Sequence, residues 1–239
     1  RAAFDIARAA FDRVSFDLIY ARQHQSMAAW QKELTSALKM AIDHLSLYQL
    51  TIEPGTAFGA RAAAGGLRGL PDEDLSADMY DLTVETCGAA GLQLYEVSNF
   101  ARAGAESKHN ILYWSAGDYA GVGPGAHGRL TLDGCRHATV SPAAPGDWLR
   151  QVEAGGDPFD VFAPLSGQEA AEEYLMMGLR LARGLSRSRL MAMGADSGMP
   201  DRLAKMADAG MLHLEDDRVR TTERGRRLLN AVLWELVPG

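Results

Sequence analysis

The chain has 239 residues, 47% of them apolar, and a net charge of −7. A sizeable core is therefore expected, and the acidic balance disfavours tight binding to nucleic acid. No apolar run approaches the ~20 residues of a membrane span, no secretory signal is present, and two isolated cysteines, Cys87 and Cys135, make no disulfide framework, which points to a reducing cytoplasm.

RAAFDIARAAFDRV reads as a helix already under way, with Phe4, Ala7 and Phe11 on one face. A chain that starts with Arg1 inside an uncapped helix is expected to have further sequence upstream. Val14 to Tyr20 reads as a buried strand. Ser26 then caps a helix to about Met40, with Met27, Trp30, Leu34 and Leu38 on one stripe. His44 to Thr51 is the next strand, and a Gly/Ala-rich loop follows from Glu53 to Leu70. Pro71-Asp72-Glu73 opens a helix with Leu75, Met79 and Leu82 facing inward, stopped by Gly91. Leu92 to Ser98 is a third strand. This βαβ order predicts a parallel sheet, and chemistry gathers at the carboxyl ends of such strands. Asp17, Thr51 and the loop after Ser98 are expected there. Asp17 sits among apolar residues, so burial and a polar partner are expected for it.

Tyr95 to Gly128 reads as a loop dense in chemistry. His109, Asn110, Tyr113 and Trp114 fall within six residues, and Gly121 to Gly128 adds His127. His109 lies in a polar segment rather than on an apolar stripe, so a metal or heme ligand and an ordinary loop residue both stand as readings. GVGPGAHG is open to two readings, a ligand-facing glycine loop or a tight turn. It lacks the Lys-Ser/Thr of a P-loop. His44 and His213 lie in strand-like runs and read as structural.

Asp133-Gly134 signals a hairpin. Pro142, Pro145 and Gly155-Gly156 mark a linker-rich stretch around a short helix. From Ser166 the chain turns helical. SGQE is a capping box, Pro200 to Ala209 is a helix, MLHLEDDRVRTT is a two-stranded wing, and Glu223 to Leu236 is the last helix. Together these make a winged-helix-like module. Its eleven basic and eleven acidic residues cancel, which favours packing or docking over nucleic acid. The expected domains are 1–140, a linker region at 141–165, and 166–239.

FDLIY, HLSLYQLTIEPGT, LPDEDLSADMY, YEVSNFAR, HNILYW and GVGPGAHG occur in this order. Together with EEYLMMGLRLARGLS and TTERGRRLLNAVL, they resemble the oxygen-independent coproporphyrinogen III oxidase-like group of radical S-adenosylmethionine (SAM) proteins. The HNxxYW, EPGT and GPGAHG forms are closer to its HemW-like, heme-chaperone branch. The resemblance implies an α/β fold, a partial (β/α) barrel followed by a HemN-type C-terminal winged-helix-like domain, and a chain covering the C-terminal two-thirds of the family pattern. It implies SAM, a [4Fe–4S] cluster and heme as cofactors. Residue by residue it gives Asp17 the SAM ribose, Gln25, Thr51 and His127 the SAM surroundings, and His109 the heme iron, with Asn110, Tyr113 and Trp114 around it. The partners it implies are heme or porphyrin, a heme-acceptor protein and, through exposed sheet edges, a second copy of the chain.

This sequence departs from the pattern twice. The family's GLPGQ-like loop is here Ala21-Arg22-Gln23-His24-Gln25, which is expected to change the backbone near the cofactor's methionine end. The cysteine trio that anchors the cluster is absent, and Cys87 and Cys135 cannot replace it. This polypeptide alone is therefore not expected to cleave SAM. The expected function is heme transfer to acceptor proteins. The alternative is oxidative decarboxylation of coproporphyrinogen III to protoporphyrinogen IX, with Arg102, Lys108 and Arg129 as propionate partners.

Overall fold

The computed structural model describes residues 2–157 and 159–237. They form two compact units, divided between Ser107 and Lys108.

The first unit opens with α1 (Ala2–Ala10), followed by β1 (Asp17–Tyr20), α2 (Met27–Leu38) and β2 (His44–Gln49). Ser26 caps α2 by accepting from the Ala29 N–H, and β1 pairs with β2 in parallel, as the βαβ pattern predicts. The Gly/Ala-rich stretch holds a helix that the sequence did not suggest, α3 (Ala57–Ala63), capped by Thr56. α4 (Glu73–Ala89) begins at an Asp72 cap.

The third strand corrects the simple parallel picture. β3 (Gln93–Glu96) does not lie beside β2. A three-residue strand, β4 (Asn99–Ala101), inserts between them, antiparallel to both, giving the order β1-β2-β4-β3. No closed barrel is formed among the described residues.

One face of this sheet is apolar. Leu45, Leu47, Tyr20 and Phe100 pack with Trp30 and Leu34 of α2 and Met79 and Cys87 of α4. Each such fully buried side chain contributes roughly 1.5–3 kcal/mol. The Trp30 indole N–H is satisfied by the Thr83 hydroxyl at 2.8 Å, both groups buried.

The second unit begins with α5 (Lys108–Trp114), then the β5 (His127–Leu132)–β6 (Cys135–Val140) hairpin. Asp133 and Gly134 both take positive φ, 50° and 77°, the type I′ turn that Asp-Gly favours. α6 (Pro145–Glu153) follows. The expected linker also supplies β7 (Val161–Pro164), which joins the hairpin as the third strand of a sheet ordered β5-β6-β7.

α7 (Gly167–Gly178) starts with the complete Ser166–Glu169 capping box. β8 (Leu185–Ser186), α8 (Arg187–Met193), α9 (Met199–Asp208), β9 (Leu212–Glu215) and β10 (Arg218–Thr221) complete a winged-helix-like module with sheet order β8-β10-β9. Leu175, Leu190, Leu203, Leu212, Val219 and Leu236 fill its core. The last helix, expected as one piece, is two: α10 (Glu223–Arg227) and α11 (Leu229–Leu236). Leu228 between them leaves helical geometry at φ −107°, ψ 27°. No helix among the described residues is long and apolar enough to cross a membrane.

Candidate functional site

In the first unit, strand alternation puts Leu18 and Tyr20, Leu45 and Leu47, and Phe100 toward the helices. The opposite face therefore carries Asp17 and Ile19, His44, Ser46 and Tyr48, and Asn99. The register aligns one polar row across all four strands: Asp17 beside Ser46, Ser46 beside Asn99, Asn99 beside Glu96. Ser46 Oγ donates to Asn99 Oδ1 at 2.7 Å, and Asn99 Nδ2 donates to Glu96 Oε1, which also accepts the Ser98 N–H at 3.1 Å. Ser46, Asn99 and Glu96 are buried, so these bonds keep costly polar groups satisfied.

A register shift between Leu94 and Glu96 lets Tyr95 reach the same neighbourhood. Its hydroxyl lies 2.9 Å from His44 Nε2, while Ser15 Oγ lies 2.8 Å from Nδ1. Burial holds the His44 imidazole below its ordinary pKa; Arg13 adds to this, and Asp43 and Asp17 oppose it. The structural role expected of His44 fits this geometry.

Asp17 departs from the sequence expectation. It is the first residue of β1 rather than a residue near its carboxyl end, and it is exposed. A solvated carboxylate needs no buried partner, so that argument for its role falls away. Thr51 does lie just past the carboxyl end of β2 and is exposed. Gln25 follows the carboxyl end of β1 but is buried. Its Oε1 accepts the Arg22 N–H and its Nε2 donates to Glu33, which also pairs with Arg22.

The loop at 21–25 is left-handed at two positions. The two positions that carry glycine in the family's GLPGQ-like pattern are Ala21 and His24, and both take positive φ, 57° and 60°. The backbone adopts a left-handed shape without glycine. Anchors hold it: His24 N–H to Gly69 O at 2.6 Å and Gln23 Nε2 to Arg68 O at 2.7 Å. EPGT has a structural use as well, since Gly55 turns at φ 81° and Thr56 Oγ1 caps α3 at Gly59 N.

In the second unit, HNILYW is a helix, α5, and not the expected loop. His109 is exposed; Asn110, Tyr113 and Trp114 are half-buried. His109 and Tyr113 are one helical turn apart, as are Asn110 and Trp114, so each pair shares a face. Tyr113 packs edge-on against Trp114 at 4.8 Å and Tyr119 at 5.4 Å, and the Arg180 guanidinium lies 5.4 Å from the Trp114 ring. This is an aromatic shelf with an imidazole one turn from its centre.

The glycine run is a packed turn. A Cβ on Gly128 would meet Thr139 Oγ1 at 2.4 Å, and one on Gly121 would meet the His127 carbonyl oxygen at 2.4 Å. The Gly125 N–H is bonded to Pro142 O. Backbone approach accounts for these glycines, and the turn leaves His127 exposed at the start of β5. Arg129 is taken up by Glu173 at 2.7 Å. Sequence reasoning missed the Ser46–Asn99–Glu96 row and the Ser15–His44–Tyr95 chain. An interior Ser in an apolar strand was the only local hint.

The chain's thiols do not fit a cluster. Cys87 is buried in the core, where desolvation pushes its thiol up to about 12. No group of three or more His, Cys, Asp or Glu side chains placed to hold a metal ion occurs among the described residues. An exposed imidazole beside aromatic rings does fit a porphyrin's iron and flat face.

Residues 165–228 match the HemN C-terminal domain. The chain is 35% identical to bovine radical S-adenosyl methionine domain-containing protein 1, mitochondrial, covering 94% of this chain and 53% of that protein. Heme chaperone HemW of Bacillus subtilis is 33% identical, over 93% of this chain and 58% of that one. Heme chaperone HemW of Mycobacterium tuberculosis is 34% identical, over 99% and 58%. The solved structure of the radical SAM enzyme coproporphyrinogen III oxidase (HemN) from Escherichia coli superposes with a TM-score of 0.73 at 18% identity, over 98% of this chain and 57% of that one. The chain thus spans a little over half the length of these relatives. On the ordered motifs, the fold and these likenesses, it belongs to the HemW/HemN-like family of radical S-adenosylmethionine proteins.

Proposed function

We propose that this chain is part of a heme-binding, HemW-like protein that passes heme to acceptor proteins. The observation that carries the reading is the exposed His109 on α5, one turn from Tyr113 and beside the Tyr113–Trp114–Tyr119 aromatic cluster. In it, His109 ligates the iron, and Asn110, Tyr113 and Trp114 form the surface against which the macrocycle lies. The HemW relatives, whose names call them heme chaperones, support it.

SAM contacts are proposed at Thr51 and at the loop holding Gln25, both at strand carboxyl ends, where ligands gather in such sheets. Asp17 keeps its proposed ribose contact from the motif FDLIY, and His127 keeps its proposed place near the cofactor from GPGAHG. A [4Fe–4S] cluster is not assigned to any thiol of this chain. Cytoplasmic residence, self-association and the domain limits 1–140, 141–165 and 166–239 remain part of the proposal.

Heme titration followed at the Soret band tests the ligand assignment. Wild type should give a shifted, saturating Soret band. His109→Ala should lose the shift or bind at least tenfold more weakly, with its far-UV spectrum unchanged. Identical spectra and affinities would remove His109 from the reading.

A further inference from the structure

We propose that residues 108–239 carry a binding site for a small monocarboxylate with a short aliphatic tail, in a cleft of about 560 Å³. The cleft lies among the α5–β5 connection, the β5–β6 hairpin, the amino end of α7, and α8. Its volume falls within the range of small-ligand sites.

The charge on its wall is unbalanced. Arg136 and Arg189 line it together with a single carboxylate, Asp118. The Arg136 side chain is only 9% exposed, yet its guanidinium is poorly bonded. Its Nη atoms reach Ala116 O at 3.2 Å, and Gly117 O, Asp118 and Glu173 each at 3.4 Å. Charge-assisted bonds are usually nearer 2.7–2.9 Å. Its Nε is buried without a partner. Glu173 is already engaged by Arg129 at the shorter distance of 2.7 Å.

Arg189 has neutral partners. It donates to the Ser115 and Ala116 carbonyl oxygens at 3.0 and 3.1 Å and lies 4.7 Å from the Tyr174 ring centre. Ala116 takes a left-handed φ of 50° in the turn whose carbonyls serve both guanidiniums. With Arg129 and Glu173 counted, three guanidiniums against two carboxylates leave one positive charge at this wall. The other side is apolar: Leu165, Ala170, Ala192 and Met193. A single negative charge with a few methylene groups complements both walls. An inorganic phosphate dianion overshoots the charge, meets Asp118 and leaves the apolar wall bare.

The test titrates the 239-residue chain with butyrate, butyramide and inorganic phosphate, following amide shifts by NMR. Arg189→Gln removes the free charge, and Ala192→Phe fills the cleft without changing charge. Both side chains are exposed, and the dispersion of the amide spectra checks that both variants fold. Butyrate should bind saturably at one site, at least tenfold more tightly than butyramide or phosphate. Each substitution should weaken it at least tenfold. Butyrate binding no tighter than butyramide, tighter binding of phosphate, or indifference to Ala192→Phe would overturn the proposal. No residue assigned to heme is altered, so this result and the His109 titration succeed or fail separately.

Discussion

Two glycines, given the same substitution, should respond with opposite signs. Gly88, in α4, has nothing within 4 Å of where a Cβ would stand. Alanine there gains helix propensity, worth up to about 1 kcal/mol and less near a helix end. Gly225, in α10, is also helical, and propensity alone again favours alanine. Its Cβ, however, would fall 1.9 Å from the Met211 carbonyl oxygen and 2.8 Å from that carbonyl carbon. Both are backbone atoms, and the oxygen already accepts the Thr222 N–H at 3.0 Å and its hydroxyl at 3.3 Å. Relief requires moving α10 off the end of the wing. Overpacking of this kind costs about 3 kcal/mol, which outweighs the propensity gain and leaves a net loss of roughly 2 kcal/mol. Because the chain has two compact units, a single global melt is a poor readout. Hydrogen exchange resolved by peptide reports each unit separately. Slower exchange in α4 for Gly88→Ala and faster exchange across β9, β10 and α10 for Gly225→Ala are expected. Unchanged or increased protection in the wing of Gly225→Ala would refute the steric argument.

The first unit should weaken in mild acid because of His44. Its folded pKa lies below the ordinary value, so the folded state binds fewer protons and stability is lost as pH falls below about 6.5. Urea denaturation of the first unit from pH 8 to pH 5 should show this slope, and His44→Asn should flatten it. Ser166→Ala removes the hydroxyl that accepts the Glu169 N–H and breaks the capping box. It should cost about 1 kcal/mol, read by denaturant unfolding, with Ser166→Asp close to wild type.

What the sequence disclosed was local. Ser26, Asp72 and Ser166 announce helix starts through the side-chain bonds they make within three residues. Asp133-Gly134 announces its turn because both residues tolerate positive φ. What it concealed depends on distant pairing. Asn99–Ala101 is too short to carry a periodic signal and becomes a strand only through β2 and β3. The Ser46–Asn99 bond joins residues 53 apart, and only the register reveals it. Asp17 was misplaced for the same reason: an apolar run suggests burial, but β1 is the outermost strand of its sheet. The break at Leu228 has no glycine or proline to mark it. For the candidate heme residues, the residue types were legible in HNILYW, while their arrangement as a helix with paired faces was not.

Ala21 and His24 give the turn after β1 a particular vulnerability. A glycine there would make the left-handed shape a property of the residue itself. Here it is borrowed from tethers to Arg68 and Gly69, about 45 positions along the chain, and from the Gln25–Glu33 clamp. Cutting a tether weakens the hold on two left-handed residues that lack glycine's freedom. The contour of this turn is thus governed from Arg68 and Gly69, and a side chain added at Gly69 would press directly on the His24 ring.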